Sequence, residues 1–443
     1  MTYQEFINKS SESDLGSALK KAVEDYTRTS DYKFMQDAEA YYDSENPNMS
    51  NATLQVEFDT GKTVTITPVV EMFSNYLQRI VDQLTNRLWF YPVKITSEAA
   101  ALKDDTPSWL EDLPIDMATY ACLHGVSYGF WNFDELQMFK ATEYFPLKDE
   151  RTSDTLAGIR FWGTDKKRYI QFYELDGMTE FLVINNGVEV YQEKTSYIVN
   201  QHGENIIGTE TPINFPIVEM QVNLRKKSEL TKAIRSKIDA YDIINTVYVD
   251  EFVKTKGIHW KITGFGGESD TLAGIKDLIN KLGIIATPDE DTNIETATVN
   301  IPYEAKAELL EAIETAIYRD AQLMNLQSII MGNVTATAIA ASSTAEDNKV
   351  SRMEKYAKRF VRQILELQGI NDGEINFTQK VLLNTTEQMQ QLSMAHSMGV
   401  PTEALISLMP PLQGQTERIL NMYKTHVLGM DIESREPNYD YRS

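Results

Sequence analysis

The stretch Glu180-Phe-Leu-Val-Ile-Asn-Asn-Gly-Val-Glu-Val-Tyr191 decides the fold class. Two apolar, β-rich runs meet at Asn185-Asn-Gly187, and Asn-Gly supplies the positive φ angles that a tight hairpin turn needs. Gly158-Ile-Arg-Phe-Trp162 and Tyr169-Ile-Gln-Phe-Tyr173 have the same texture, with Asp176-Gly177 as a further turn. Residues 140–222 therefore read as an antiparallel β domain. Helical spacing flanks it on both sides. Upstream, Phe73, Leu77, Ile80, Leu84 and Leu88 recur at three- and four-residue steps after Pro68, predicting a helix that ends in Trp89-Phe-Tyr91. A second helix is expected over 113–127.

Downstream, Leu230, Ile234, Ile238, Tyr241, Ile244, Tyr248 and Phe252 put one apolar stripe along a helix over 228–254, with Ser228 as its N-cap. At ~1.5 Å per residue that helix is about 40 Å long. Residues 256–302 read as a compact α/β insert. It holds a strand at Ile258-His-Trp-Lys-Ile262, a turn at Gly264-Phe-Gly-Gly267, a short helix at 271–282, and strand-like Ile284-Ile-Ala286 and Thr296-Ala-Thr-Val299. Helices follow over 303–324 and 344–368, then shorter ones over 384–430 broken at Gly399, Pro401, Pro410, Pro411 and Gly414. The class is α+β.

Composition narrows the function. The chain has 443 residues, 65 acidic and 42 basic, for a net charge of −23. An acidic surface repels phosphates, which disfavours an ordinary sequence-reading DNA binder. The single Cys122 cannot make an internal disulfide. No run nears the ~18 apolar residues of a membrane span, and the acidic start lacks the apolar core of a signal peptide. A soluble, intracellular or virion protein is expected. Its bases are segregated. Residues 225–237 hold six bases and one acid, and residues 349–362 hold another six and one, leaving 30 bases against 63 acids elsewhere. Six bases around a helix N-terminus oppose the helix dipole, and they read either as a solvated face or as bases that meet an acidic neighbour, another copy of this chain or passing phosphates.

No catalytic constellation is visible. There is no G-x-x-x-x-G-K-[ST] loop for a nucleotide and no G-x-S-x-G elbow. His124, His202, His259, His396 and His426 stand apart, with no pair at metal spacing. Gly264–Gly267 reads as a plain turn, and His124 and Cys122 as buried residues. No enzyme activity, cofactor or metal is expected.

Taken in order, several segments resemble the portal proteins of tailed bacteriophages, of the siphophage type. These are Asp31-Tyr-Lys-Phe-Met35 with Ala40-Tyr-Tyr42, the run Arg79–Val93 ending in an aromatic-Pro-Val step, His124-Gly-Val-Ser-Tyr-Gly-Phe130, and Asn214-Phe-Pro-Ile-Val-Glu-Met-Gln-Val-Asn223 followed by Ile238-Asp-Ala-Tyr-Asp242. Met331-Gly-Asn-Val-Thr-Ala-Thr-Ala338 is similar to the family's tunnel-loop segment, and Gly399–Pro410 to a crown segment.

The resemblance implies a portal fold assembled as a twelvefold ring. It has a mixed wing (1–225, with the β domain), a stem helix (226–255), a small α/β clip (256–302) and a second stem helix (303–324). A tunnel loop (325–341), a long wing helix (342–380) and a helical crown with its tail (381–443) complete it. Such a ring sits at one vertex of the virion capsid after assembly in the host cytoplasm. Double-stranded DNA passes through it, weakly and non-specifically bound. It docks the terminase large subunit and later a head-completion adaptor, and it meets the major capsid and scaffold proteins. On that reading Glu304, Glu308, Glu311 and Glu314 line the channel, and Gln327, Ser328, Met331, Asn333 and Thr335 form the tunnel loop. Phe265, Asp289, Glu290 and Asp291 of the clip receive terminase or adaptor. Lys226, Lys227, Arg235, Arg352 and Arg359 contact a neighbouring subunit or DNA. The alternatives are a capsid scaffold or shell protein, or a hydrolase or transferase with a site in the 140–222 β domain.

Overall fold

Eight of the strands lie between residues 126 and 221, and all of their pairings are antiparallel. In the computed structural model the described residues are 1–12, 14–49, 54–57, 63–66, 70–97, 107–111, 113–132, 135–164, 166–185, 187–197, 214–255, 258–263, 293–298, 303–325, 336–379, 385–402, 405–406 and 416–426. In chain order the elements begin with α1 (Tyr3–Glu12), α2 (Leu15–Thr27), α3 (Ser30–Tyr42), β1 (Leu54–Glu57), β2 (Thr63–Ile66), α4 (Tyr76–Trp89), β3 (Lys94–Thr96) and α5 (Leu113–His124). The sheets follow with β4 (Val126–Trp131), β5 (Leu136–Lys140), β6 (Tyr144–Lys148), β7 (Thr155–Thr164), β8 (Lys167–Glu174), β9 (Gly177–Ile184), β10 (Gly187–Thr195) and β11 (Ile217–Gln221). The remainder is α6 (Lys232–Thr255), β12 (Ile258–Thr263), β13 (Asn293–Thr298), α7 (Tyr303–Ala321), α8 (Ala336–Leu367), β14 (Glu374–Asn376), α9 (Thr385–Ser397) and α10 (Thr416–His426).

The chain divides into two units: Met1–Asn46 with Asn75–Arg235 and Ile317–Ser443, and Pro47–Ser74 with Ser236–Ala316. In the first unit, β10-β9-β8-β7-β6 form one sheet and β11-β4-β5 another. Alternation along the strands aims Ile159 and Phe161, Ile170 and Phe172, and Phe181 and Val183 at one face, where Phe6, Leu19 and Val23 of α1 and α2 cover them. A second core of Tyr128, Phe130, Phe139, Tyr144, Tyr173 and Ile217 draws on both sheets. The expected hairpin forms, but not through the glycine: Gly187 pairs with Ile184 and opens β10 without a positive φ, and it is Asn185 that takes a positive φ, of 46°. Strand β10 is an edge, and its register slips between Val190 and Gln192 and again between Gln192 and Thr195.

Several boundaries differ from expectation. The upstream helix starts at Tyr76, and Phe73 lies outside it, exposed. Within the second unit, α6 claims the backbone just before it: Thr246 Oγ1 accepts from Met72 N at 2.8 Å and Asp242 Oδ1 from Ser74 N at 3.0 Å. Those amides are then lost to any helix. The helix expected to reach 127 stops at His124, where Gly125 (φ 87°) turns the chain into β4, so the sheets begin well before residue 140. Helix α6 is capped by Thr231, whose Oγ1 accepts from Ile234 N at 3.2 Å, and not by Ser228. Glu229 N donates to Cys122 O at 2.8 Å, which holds the chain out of helix until Thr231. The long helix begins at Ala336, ahead of the expected 344, because alanines fill its first turns and favour helix more than any other residue.

The second unit holds the hairpins β1–β2 and β12–β13. The strands expected at Ile258 and Thr296 are β12 and β13. The turn at 264–267, the helix at 271–282 and the strand at 284–286 lie outside the described residues.

Candidate functional site

Helix α7 carries the acidic face. Glu304, Glu308 and Glu311 are exposed and Glu314 is half-buried. At 100° per residue the four fall within an arc of roughly 120°. In the second unit, Lys306 on the same helix places its Nζ 3.7 Å from the centre of the Tyr248 ring. The helix stops at Ala321 because Gln322 takes a φ of 59°, with Gln322 N bonded to Arg319 O and Leu323 N to Tyr318 O. Leu323 and Met324 then turn inward, 7% and 5% exposed.

That inward turn is the root of the segment leading to α8, and a buried ionic network fixes it. Glu346 on α8, 1% exposed, accepts from Met324 N at 3.0 Å and from Gln83 Nε2 at 2.9 Å. Gln83 Nε2 also donates to Met324 O at 3.1 Å. Arg87 on α4, 4% exposed, places its guanidinium 2.7 Å from Glu346 and pairs with Asp347 as well. Lys349, one turn further along α8, donates to Ala321 O at 2.8 Å and pairs with Glu229. The Ala321–Met324 end of the segment is thereby anchored to α8, whose first residue, Ala336, is the other end. Gln327, Ser328, Met331, Asn333 and Thr335 lie between those ends, outside the described residues, as do Phe265, Asp289, Glu290 and Asp291.

The network was missed in the sequence, although a signal existed. Ser343, Glu346, Val350 and Met353 step by three, four and three, so a carboxylate stands in the apolar register of α8. Arg87 stands likewise between Leu84 and Leu88.

The first basic cluster meets acids of its own chain. Glu219 receives Lys148 at 2.8 Å and Lys226 closer still. Burial alone raises the Glu219 carboxyl, but hydrogen bonds and charge from the two lysines outweigh it and hold the group below the usual carboxylate range. Lys226 is itself drawn down, first by burial, with the charge of Lys148 adding to it against the pull of Glu219. Lys227 pairs with Asp31 at 3.2 Å, both exposed, and Arg235 with Asp37 at 2.9 Å beneath the rings of Phe34 and Tyr41. On α8, Arg352 donates to Asn348 O at 3.2 Å and Arg359 lies over the Tyr356 ring.

His124 is buried with its Nε2 3.1 Å from Glu39, and burial pushes the Cys122 thiol up. Among the described residues no group of three His, Cys, Asp or Glu is placed to hold a metal ion, and no helix is long and apolar enough to cross a membrane.

Residues 22–425 match the family model of phage portal proteins of the SPP1 Gp6-like kind. A portal protein of Clostridium phage phiCD119 is 24% identical over 211 residues, 45% of this chain and 45% of its own. A portal protein of Bacillus phage SPP1 is 24% identical over 387 residues, 76% of this chain and 73% of its own. The chain thus spans less than half the length of the first of these relatives and nearly three quarters of the second. Among solved structures, the neck of an empty gene transfer agent particle matches with a TM-score of 0.41 at 10% identity, covering 76% of this chain and 90% of that one. That likeness is too slight to carry an argument.

Proposed function

This chain belongs to the SPP1 Gp6-like family of phage portal proteins, and from that premise we propose that it assembles as a ring, twelvefold, around the channel at one capsid vertex. Double-stranded DNA enters through it during packaging and leaves through it during infection. The family match over residues 22–425 carries this reading. In the ring, α6 and α7 are the stem and residues 256–302 the clip, which docks first the terminase large subunit and then a head-completion adaptor. The ring hydrolyses nothing; it is a conduit, and its motor is a separate protein.

The charge of the chain explains how such a conduit works. A wall of net negative sign repels the duplex from every side, so the polymer finds no deep minimum in which to stop. Each phosphate neutralised by a wall cation releases counterions and adds affinity, which slows movement. Ring symmetry repeats the four α7 glutamates once per copy, turning a modest stripe into an acidic collar. Residues 325–341 are the tunnel loop, which supplies the weak polar contacts to the passing duplex.

Two measurements test the reading. Negative-stain images of the purified chain should show rings with a central hole; closed shells or solid particles overturn the assignment. Glu304→Lys, Glu308→Lys and Glu311→Lys together should slow packaging into empty heads, most at low salt. An unchanged packaging rate removes these glutamates from the channel wall.

A further inference from the structure

Helix α8 carries a stripe of positive charge that no carboxylate among the described residues answers. Arg352, Lys355, Arg359 and Arg362 are all exposed and follow one another at steps of three, four and three. At 100° per residue they share an arc of roughly 80°. The arc lies opposite Met353, Ala357, Phe360 and Ile364, which are buried. Among the described residues none of the four pairs with a carboxylate: Arg352 reaches only the Asn348 carbonyl and Arg359 only the Tyr356 ring. Two other lysines of the helix are paired, Lys349 with Glu229 and Lys358 with Glu354.

Phosphate could satisfy such a stripe, but its surroundings favour a protein. Beside it lies a hollow of about 630 Å3, lined by Tyr356, Arg359 and Leu367 of α8 and by Phe215, Leu156 and Leu175. Leu156 and Leu175 are 41% and 39% exposed. The same hollow is also lined by Asp154, Glu219 and Glu366; those carboxylates repel a sugar-phosphate backbone, while the exposed leucines beside the cations suit a protein surface bearing both acids and apolar side chains. Every copy of this chain carries −23 and so presents acids in excess. In a ring the next copy stands alongside at a fixed, high effective concentration.

We propose that the α8 base stripe and the adjoining hollow are the face on which one copy receives an acidic, apolar-bearing surface of the next copy. The inference rests on the ring assembly proposed above and assigns it a contact. Within the ring the stripe offsets repulsion between like-charged subunits, and the hollow sets their register.

The test uses the full chain carrying R352E, K355E, R359E and R362E together, with assembly followed by native mass spectrometry and light scattering across a salt series. The wild type should form rings whose yield falls as salt rises. In the variant, ring yield at equal chain concentration should drop by about tenfold or more with unchanged circular dichroism. Should charge reversal disturb folding, the same four positions changed to Gln decide the matter, with a smaller loss expected. Leu156→Asn, which keeps every charge, should also lower ring yield. Wild-type and variant rings of equal yield and equal salt response overturn the proposal and leave the ring itself intact. Normal variant rings that lose fluorescence-detected duplex binding overturn it too, and make the stripe a nucleic-acid contact. A wild type that forms no ring under any condition removes the assembly reading along with this contact.

Discussion

Arg87→Met is the substitution whose cost the structure sets most sharply. Methionine fills much of the same space, but Glu346, 1% exposed, is left as a buried charge facing only Gln83 Nε2 and Met324 N. Breaking a buried pair from one side costs about 3–5 kcal/mol, because the orphaned ion can neither hydrate nor pair. That is a large share of the ~5–15 kcal/mol that holds a folded protein together. Glu346→Gln should cost less, about 1–3 kcal/mol. Glutamine still offers an oxygen to Met324 N, and Arg87 keeps Asp347, whose side chain is 45% exposed. The double variant should be milder than the two losses added together, since a neutral residue at 346 no longer needs the guanidinium. Urea unfolding followed by tryptophan fluorescence reads the effect locally, because Trp89 sits buried two residues from Arg87. Hydrogen exchange at the Met324 amide should accelerate in Arg87→Met. A loss below about 1 kcal/mol, the range of exposed pairs, or strict additivity in the double variant, refutes the reasoning.

Two further outcomes follow. Gly125→Ala adds a Cβ 2.2 Å from the Lys226 carbonyl oxygen at a φ of 87°, so it should destabilise by about 2–4 kcal/mol in denaturant titrations, and a neutral result contradicts that close approach. Glu219 is held below its unfolded value, so its contribution is whole above the ordinary carboxylate range of about 4.3 and fades as pH falls through the lower folded value. Stability should therefore stay level from neutral pH down to about pH 5 and then decline, and Glu219→Gln should flatten that decline; an identical acid slope in the variant counts against the Lys148–Glu219–Lys226 cluster.

Local signals carried the architecture where they were unopposed. Asn185-Asn-Gly187 fixed a hairpin because no distant contact competes with a two-residue turn. The stripe through Leu77, Ile80, Leu84 and Leu88 likewise became a buried helix face. Misreadings arose where tertiary partners intervened. Phe73 fits the helical period, yet Asp242 and Thr246, far along the chain, capture the amides a helix there would use. Ser228 looks like a cap, but Cys122 binds the next amide and moves the start to Thr231. The acidic arc of α7 was visible as spacing. The Arg87–Glu346 network was not, since its members lie 259 residues apart and only folding brings them together. Charge clustering was plain in the sequence; which bases are answered within the chain was not. Lys226, Lys227 and Arg235 are, while Arg352 and Arg359 keep their charge on the outside.

The slipped register of β10 has its own consequence. A straight outer strand with free amides and carbonyls is a template onto which an identical chain can add, and repeated addition grows a fibre. Bringing many copies of one polypeptide together raises that hazard. Two irregularities within nine residues bend the strand and break the regular spacing a partner would need to match. Along this edge the sheet thus resists open-ended polymerisation.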